Sequence, residues 1–174
     1  MLSVKGAILL GLAFAALVGV AASANGAANA PANARPATVG CGDIIGTTTT
    51  GHDGGYRAVL GIVSAPPGLL SGPVRVPEFA PFPYWRKAGM VIRSSNKPVT
   101  VTVPKAWRNR LRIGWGNPAP EATTVTFAPC ASSSPTWNGY AGGLFLRGGA
   151  ACVPLVFAVG DRHATLRFGV GRHC

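Results

Sequence analysis

Residues 152–172 read CVPLVFAVGDRHATLRFGVGR, and the alternation inside them decides the fold class. Val153, Leu155, Phe157 and Val159 fall on one side of an extended chain, and Leu166, Phe168 and Val170 on one side of the next. Successive side chains of a strand point to opposite faces, so each set describes a strand with one buried face. Gly160-Asp161-Arg162-His163 between them has turn composition, and the stretch predicts a β-hairpin. The same period recurs upstream. Val99, Val101 and Val103 alternate with Thr100 and Thr102 between Pro98 and Pro104. Leu111, Ile113 and Trp115 alternate with Arg110 and Arg112, and Val125 and Phe127 with Thr124 and Thr126. Less regular strands are expected at Tyr56–Val63, Lys87–Arg93 and Gly143–Arg147.

These make about eight short strands, with no window of helical periodicity outside the N-terminal segment. Twenty-four glycines and 15 prolines punctuate the chain, and prolines scattered at this density disfavour long helices. With 48% apolar residues the chain is unlike a disordered tail, and with only 12% charged residues it is unlike a coiled coil. The expected fold is all-β: an antiparallel β-sandwich, Ig-like or jelly-roll-like, stapled by disulfides, with a small closed barrel as the alternative.

The first 24 residues have the form of a secretory signal peptide. Lys5 supplies the positive start, Ile8 to Ala22 is uncharged over 15 residues, and Ala22-Ser23-Ala24 offers a small-x-small cleavage site. A retained N-terminal membrane anchor is the alternative, but small residues follow the run where an anchor wants aromatic or basic flanks. Residues 25–39, rich in Ala, Asn and Pro, are expected to be a flexible spacer, and residues 40–174 the folded domain. The mature chain is thus expected to be secreted, with no transmembrane domain after processing. All four cysteines, Cys41, Cys130, Cys152 and Cys174, follow the cleavage point. An even number in an exported chain predicts two disulfides. Spacing permits three connectivities; Cys41–Cys130 with Cys152–Cys174 is favoured, because the second pair would close the ends of the hairpin. Zinc would need Cys or His pairs about two to five residues apart, and no two cysteines lie closer than 22 positions. No metal and no cofactor is expected.

The chain carries 16 Lys and Arg against 5 Asp and Glu, a net charge of +11. From Phe79 to Pro120 there is no acidic residue at all, yet there are eight basic ones, interleaved with aromatics. If Leu111, Ile113 and Trp115 point inward, Arg110 and Arg112 point outward together, with Arg108 on the same side. Arg93, Lys105, Arg108, Arg110 and Arg112 are therefore the expected binding residues of a basic surface strip. Such a strip attracts anionic envelope polymers or lipid head groups; the plainer reading is solubility and protection of a sheet edge. Nucleic acid is not expected as a partner, since export removes the opportunity and no recognition motif is present. Pro and aromatic residues alternate from Phe79 to Trp85, and Phe82, Tyr84 and Trp85 are candidates for a ring-stacking platform. The alternative is a stiff connection whose rings cover the end of the core.

Groups able to do acid–base chemistry are few. The carboxylates are Asp43, Asp53, Glu78, Glu121 and Asp161, and the histidines His52, His163 and His173. No spacing among them suggests convergence, and no GxSxG, HExxH or P-loop is present. His52-Asp53, in the loop GTTTTGHDGG, is the one pair that a secreted hydrolase could use. No catalytic residue is assigned.

Trp137-Asn138-Gly139-Tyr140-Ala141-Gly142-Gly143, Ala151-Cys152-Val153-Pro154-Leu155 and the terminal Gly169-Val170-Gly171-Arg172-His173-Cys174, together with Cys130, form a recurring pattern. In these residues the chain resembles small secreted β-rich proteins of high-GC Gram-positive (actinobacterial) bacteria, over roughly residues 85–174. The resemblance implies export but no activity. Physically, Gly142-Gly143 reads as a bulge or a close backbone approach, and the ending as a stapled sheet edge. The expected function is a non-enzymatic binding or structural module of the cell envelope or extracellular space. A secreted hydrolase using His52 and a small inhibitor or effector are the alternatives.

Overall fold

In the computed structural model, residues 35–174 are described, apart from His52, Ser133, Pro135 and the side chain of Asp53. The expected signal peptide, most of the expected spacer and His52 lie outside the described residues. The chain runs through β1 (Ala37–Val39), β2 (Ile44–Thr48), β3 (Arg57–Val59), β4 (Val63–Ala65), β5 (Leu69–Leu70), β6 (Val74–Arg75), β7 (Tyr84–Lys87) and β8 (Met90–Arg93). It continues through β9 (Val99–Thr102), β10 (Leu111–Trp115), β11 (Thr124–Phe127), β12 (Trp137–Tyr140), β13 (Gly142–Leu146), β14 (Ala151–Val159) and β15 (Arg162–Val170). All eight expected strand regions contain strands. Of the further ones β1, β5 and β6 have three residues or fewer, whereas β2 and β12 are as long as β10 and β9. β1 lies within the expected spacer, and Val39 is 1% exposed, so the domain begins before Gly40.

The strands form three open sheets, in the orders β1-β11-β9-β14-β15-β5, β10-β13-β7-β6 and β2-β12-β8-β4-β3. None closes into a barrel, and the fold is a disulfide-stapled β-sandwich. Pairing is antiparallel except for the short parallel contacts of β1 with β11 and β5 with β15. The second and third sheets are linked twice. One strand of each sheet follows from the other through a single residue, Ala141, between β12 and β13, and through Ala88-Gly89 between β7 and β8. Because β8 pairs with β12 and β7 with β13, these two sheets behave as one sheet bent at a corner. The corner is held by the Ala88 N–H donating to the Gly142 carbonyl (2.9 Å) and the Trp115 indole N–H donating to the Ala88 carbonyl (2.8 Å). Gly142 and Gly143 allow the close approach: a Cβ on Gly143 would overlap the Arg86 carbonyl oxygen, and one on Gly142 that of Gly114.

One core fills the space between the layers. Val101, Phe127, Leu155 and Phe168 come from the six-stranded sheet, Leu111, Ile113, Trp115 and Leu144 from the second, and Met90, Ile92 and Tyr140 from the third. Phe127 joins them, its ring 5.8 Å from Trp115 and 4.9 Å from Tyr140. On the outer face of the six-stranded sheet stand the expected threonines. Thr100 faces Thr126 and Thr102 faces Thr124 across β9 and β11, with hydroxyl contacts of 3.2 and 3.5 Å. The predicted hairpin is β14–β15, in register from Ala151↔Val170 to Val159↔Arg162. Its turn is the two residues Gly160-Asp161, shorter than expected, so Arg162 and His163 belong to the strand. Gly160, at φ 55°, takes the first central position, the one where a II′ hairpin places glycine. Pro154 is tolerated because β9 pairs with β14 only at Val156–Ala158. Both favoured disulfides are formed, Cys41–Cys130 and Cys152–Cys174.

Candidate functional site: an arginine groove

The expected strip of cations is not a strip. β10 is buried on both faces, and Phe82, from the connection between β6 and β7, covers its outer side at Arg112. Arg112, expected to point into solvent, is 4% exposed. Its guanidinium lies 4.5 Å from the centre of the Phe82 ring, and one of its terminal nitrogens donates to the carbonyls of Leu111 (3.0 Å) and Arg108. Burial lowers its pKa below the ordinary arginine value; Glu121 opposes this, and Arg147 and Arg108 add to it. Alternation placed Arg112 on the correct side of the strand. What the sequence did not show is that this side has a cover.

The same cover removes the stacking platform. Phe82 is 2% exposed, with Arg112 and Arg147 (5.5 Å) set against its ring. Trp85 is engaged by Phe145 at 4.5 Å and Phe79 at 6.3 Å, and Phe79 reaches Phe145 at 5.3 Å. Tyr84 is half-buried and packs on the core. The Pro-aromatic segment is therefore a lid over the second sheet, its rings spent on packing.

The remaining expected cations part company. Arg93 is exposed but lines a separate groove of about 370 Å³ with Arg162, at the turn end of the hairpin. Lys105 is exposed at the start of a short 3-10 turn, Lys105–Trp107. Arg108 is half-buried, its Nε donating to the Val103 carbonyl at 3.4 Å. Arg110 is exposed and lies flat on Trp107, 4.4 Å from the ring centre. That contact limits the rotamers of Arg110 and holds its charge at one position.

Around Arg110 the fold gathers arginines that the sequence reading passed over. The Arg147 N–H donates to the Arg110 carbonyl at 3.0 Å, extending the β10–β13 ladder by one step. Arg167 comes from β15 and Arg172 from the segment after it. Together with Trp107 and Cys152 these four arginines line a groove of about 560 Å³, a size suited to a ligand segment. Among the described residues no carboxylate side chain lines it. The groove lies at the open end of the hairpin, where Cys152–Cys174 closes it. Spacing held one usable signal: pairing Cys152 with Cys174 brings Arg172 to the base of β14. Nothing in the sequence indicated that β10 and β13 are neighbours.

Among the described residues the acid–base candidates do not gather into one site, and the side chains of the His52-Asp53 pair lie outside them. Asp43 is structural: its carboxylate accepts the N–H groups of Gly40 (2.8 Å) and Asn117 (3.0 Å), tying the domain start to the end of β10. Glu121 is half-buried; burial raises its pKa and Arg112 partly offsets this. Glu78 is exposed, Asp161 and His163 sit at the turn end of the hairpin, and His173 lies in the C-terminal tail. Among the described residues no group of three or more His, Cys, Asp or Glu could hold a metal ion. A further groove, about 530 Å³, is mainly apolar, with Ile45, Tyr56 and Leu69 on its walls. No helix among the described residues is long and apolar enough to cross a membrane, and two closed disulfides suit an oxidising, non-cytoplasmic compartment. No known protein family, curated protein or solved structure matches the chain.

Proposed function

We propose that the protein is an exported, non-enzymatic module of the cell envelope or extracellular space that binds an anionic polymer in the arginine groove. One observation carries this reading. Arg110, Arg147 and the pair Arg167 and Arg172 converge from three separate stretches of chain on one groove that no carboxylate side chain of the described residues lines. Like charges brought together without counter-ions repel one another, and an anionic ligand relieves that repulsion. Planar guanidinium forks match phosphate and carboxylate oxygens in pairs, and Trp107 adds an apolar wall. Disulfides, the N-terminal signal-like segment and the basic charge support an extracellular setting.

The test is retention of the purified chain, disulfides closed, on isolated cell walls and on inorganic polyphosphate at increasing salt. Four phosphate contacts release counter-ions, so a fourfold rise in salt is expected to weaken binding about a hundredfold. Replacing Arg110, Arg147, Arg167 and Arg172 with Ser is expected to abolish this salt-dependent retention. Unchanged retention in that variant rules the groove out.

A further inference from the structure

The terminal motif Gly169-Val170-Gly171-Arg172-His173-Cys174 supplies one arginine of the groove, Arg172. β15 ends at Val170, and residues 171–174 are exposed beyond it. Arg172 differs from its three partners in the groove. Arg110 and Arg147 flank the β10–β13 ladder and Arg167 lies within β15, whereas Arg172 lies in a tail with no strand partner. Three features hold that tail. The Gly171 N–H donates to the Leu70 carbonyl at 3.1 Å. The Arg172 carbonyl folds back onto Gly169, where a Cβ would overlap its oxygen. Cys174, two residues beyond Arg172, is bonded to Cys152, with Cα atoms 5.0 Å apart. Cys152 itself lines the groove.

We infer that the Cys152–Cys174 disulfide, with Gly169, is a positioning device that seats Arg172 in the groove, and that anion binding is consequently linked to the redox state of this bond. The inference rests on the groove being the anion site. An arginine on a loose tail must lose its conformational freedom on binding, whereas a tethered one has already lost it. Opening the bond by a dithiol reductant is balanced: the S–S bond breaks to two thiols, and the reductant closes to its own disulfide. Binding and opening are reciprocal, so a bound polyanion also protects the bond against reduction.

The experiment measures equilibrium binding of inorganic polyphosphate to the full chain at low salt. Arg172→Ser is expected to weaken binding about two- to fivefold, the size of one exposed ionic contact, and to lower the salt dependence by about one counter-ion. The Cys152→Ser/Cys174→Ser double variant should lose the same factor, and adding Arg172→Ser to it should cost nothing more. Arg167→Ser, on the strand, should weaken binding equally with the bond open or closed, which separates loss of seating from loss of fold. Gly169→Ala, with the disulfide intact, should reproduce the Arg172 loss by displacing the tail. Wild-type affinity in the double cysteine variant overturns the inference, as does an Arg172→Ser effect that persists undiminished there. Failure of the oxidised wild-type chain to bind polyphosphate at all overturns the groove reading and this inference with it.

Discussion

Arg112 and Arg110 stand two residues apart in one acid-free stretch, and the fold gives them opposite tasks. Arg110, itself exposed, rests on the half-buried Trp107 ring at the groove; Arg112 is a structural residue whose charge is held by backbone carbonyls and the face of Phe82. Its long side chain contributes packing as well as hydrogen bonds. Arg112→Ala is expected to lower stability by about 2 kcal/mol or more, against about 0.5 kcal/mol or less for a surface substitution such as Arg110→Ser. Denaturant unfolding of the two variants checks the contrast. Tyr140 supplies a pH prediction. It is 2% exposed and its hydroxyl faces the Cys130 sulfur at 3.7 Å. Burial pushes its pKa up, and the charge of Asp43 pushes the same way. With the folded-state value above the unfolded one, its contribution to stability is complete below the ordinary tyrosine pKa of about 10 and is lost as pH rises through the folded value. Tyr140→Phe should remove that part of the alkaline loss, read as a flatter stability curve on the alkaline side.

Among the elements, the strands most legible in the sequence were those with a clean inside and outside. β9, β11 and β15 keep threonines or charged groups on one face and core residues on the other, and β14 shows its inner face by the alternation of Val153, Leu155, Phe157 and Val159 with smaller or less buried residues. β1, β5 and β6 are two or three residues long, too short to show a period. β10 and β13 were legible as strands but not in their surroundings, since both of their faces are covered. The corner between the second and third sheets depends on Gly142 and Gly143, whose pairing in the sequence did signal a close backbone approach. Gly143→Ala is expected to cost about 1–3 kcal/mol, because the added carbon meets backbone atoms that cannot turn away. A thermal midpoint equal to wild type would show the corner to be looser than its geometry.

For the molecule as a whole, the two disulfides constrain unequal lengths of chain. Cys41–Cys130 spans 89 residues and Cys152–Cys174 spans 22. Loop-closure entropy assigns them roughly 4.6 and 3.4 kcal/mol. Double-serine variants should therefore differ by about 1 kcal/mol, the Cys41–Cys130 variant being the weaker fold, as read from denaturant midpoints. An opposite order would mean that the hairpin closure stabilises by more than chain entropy. By itself the amino-acid sequence determined the all-β class, the eight main strand regions, a preferred disulfide pairing and the excess of positive charge. These depend on local period, composition and the number of cysteines, which neighbours along the chain already express. Only the tertiary structure decided which cations share a surface. It buried Arg112 under a lid, sent Arg93 to the far end of the hairpin, and brought Arg110 together with Arg147, Arg167 and Arg172. A groove whose arginines come from three separate stretches of chain depends on which strands pair, and β10 carries no local mark of pairing with β13; long-range burial sets that choice.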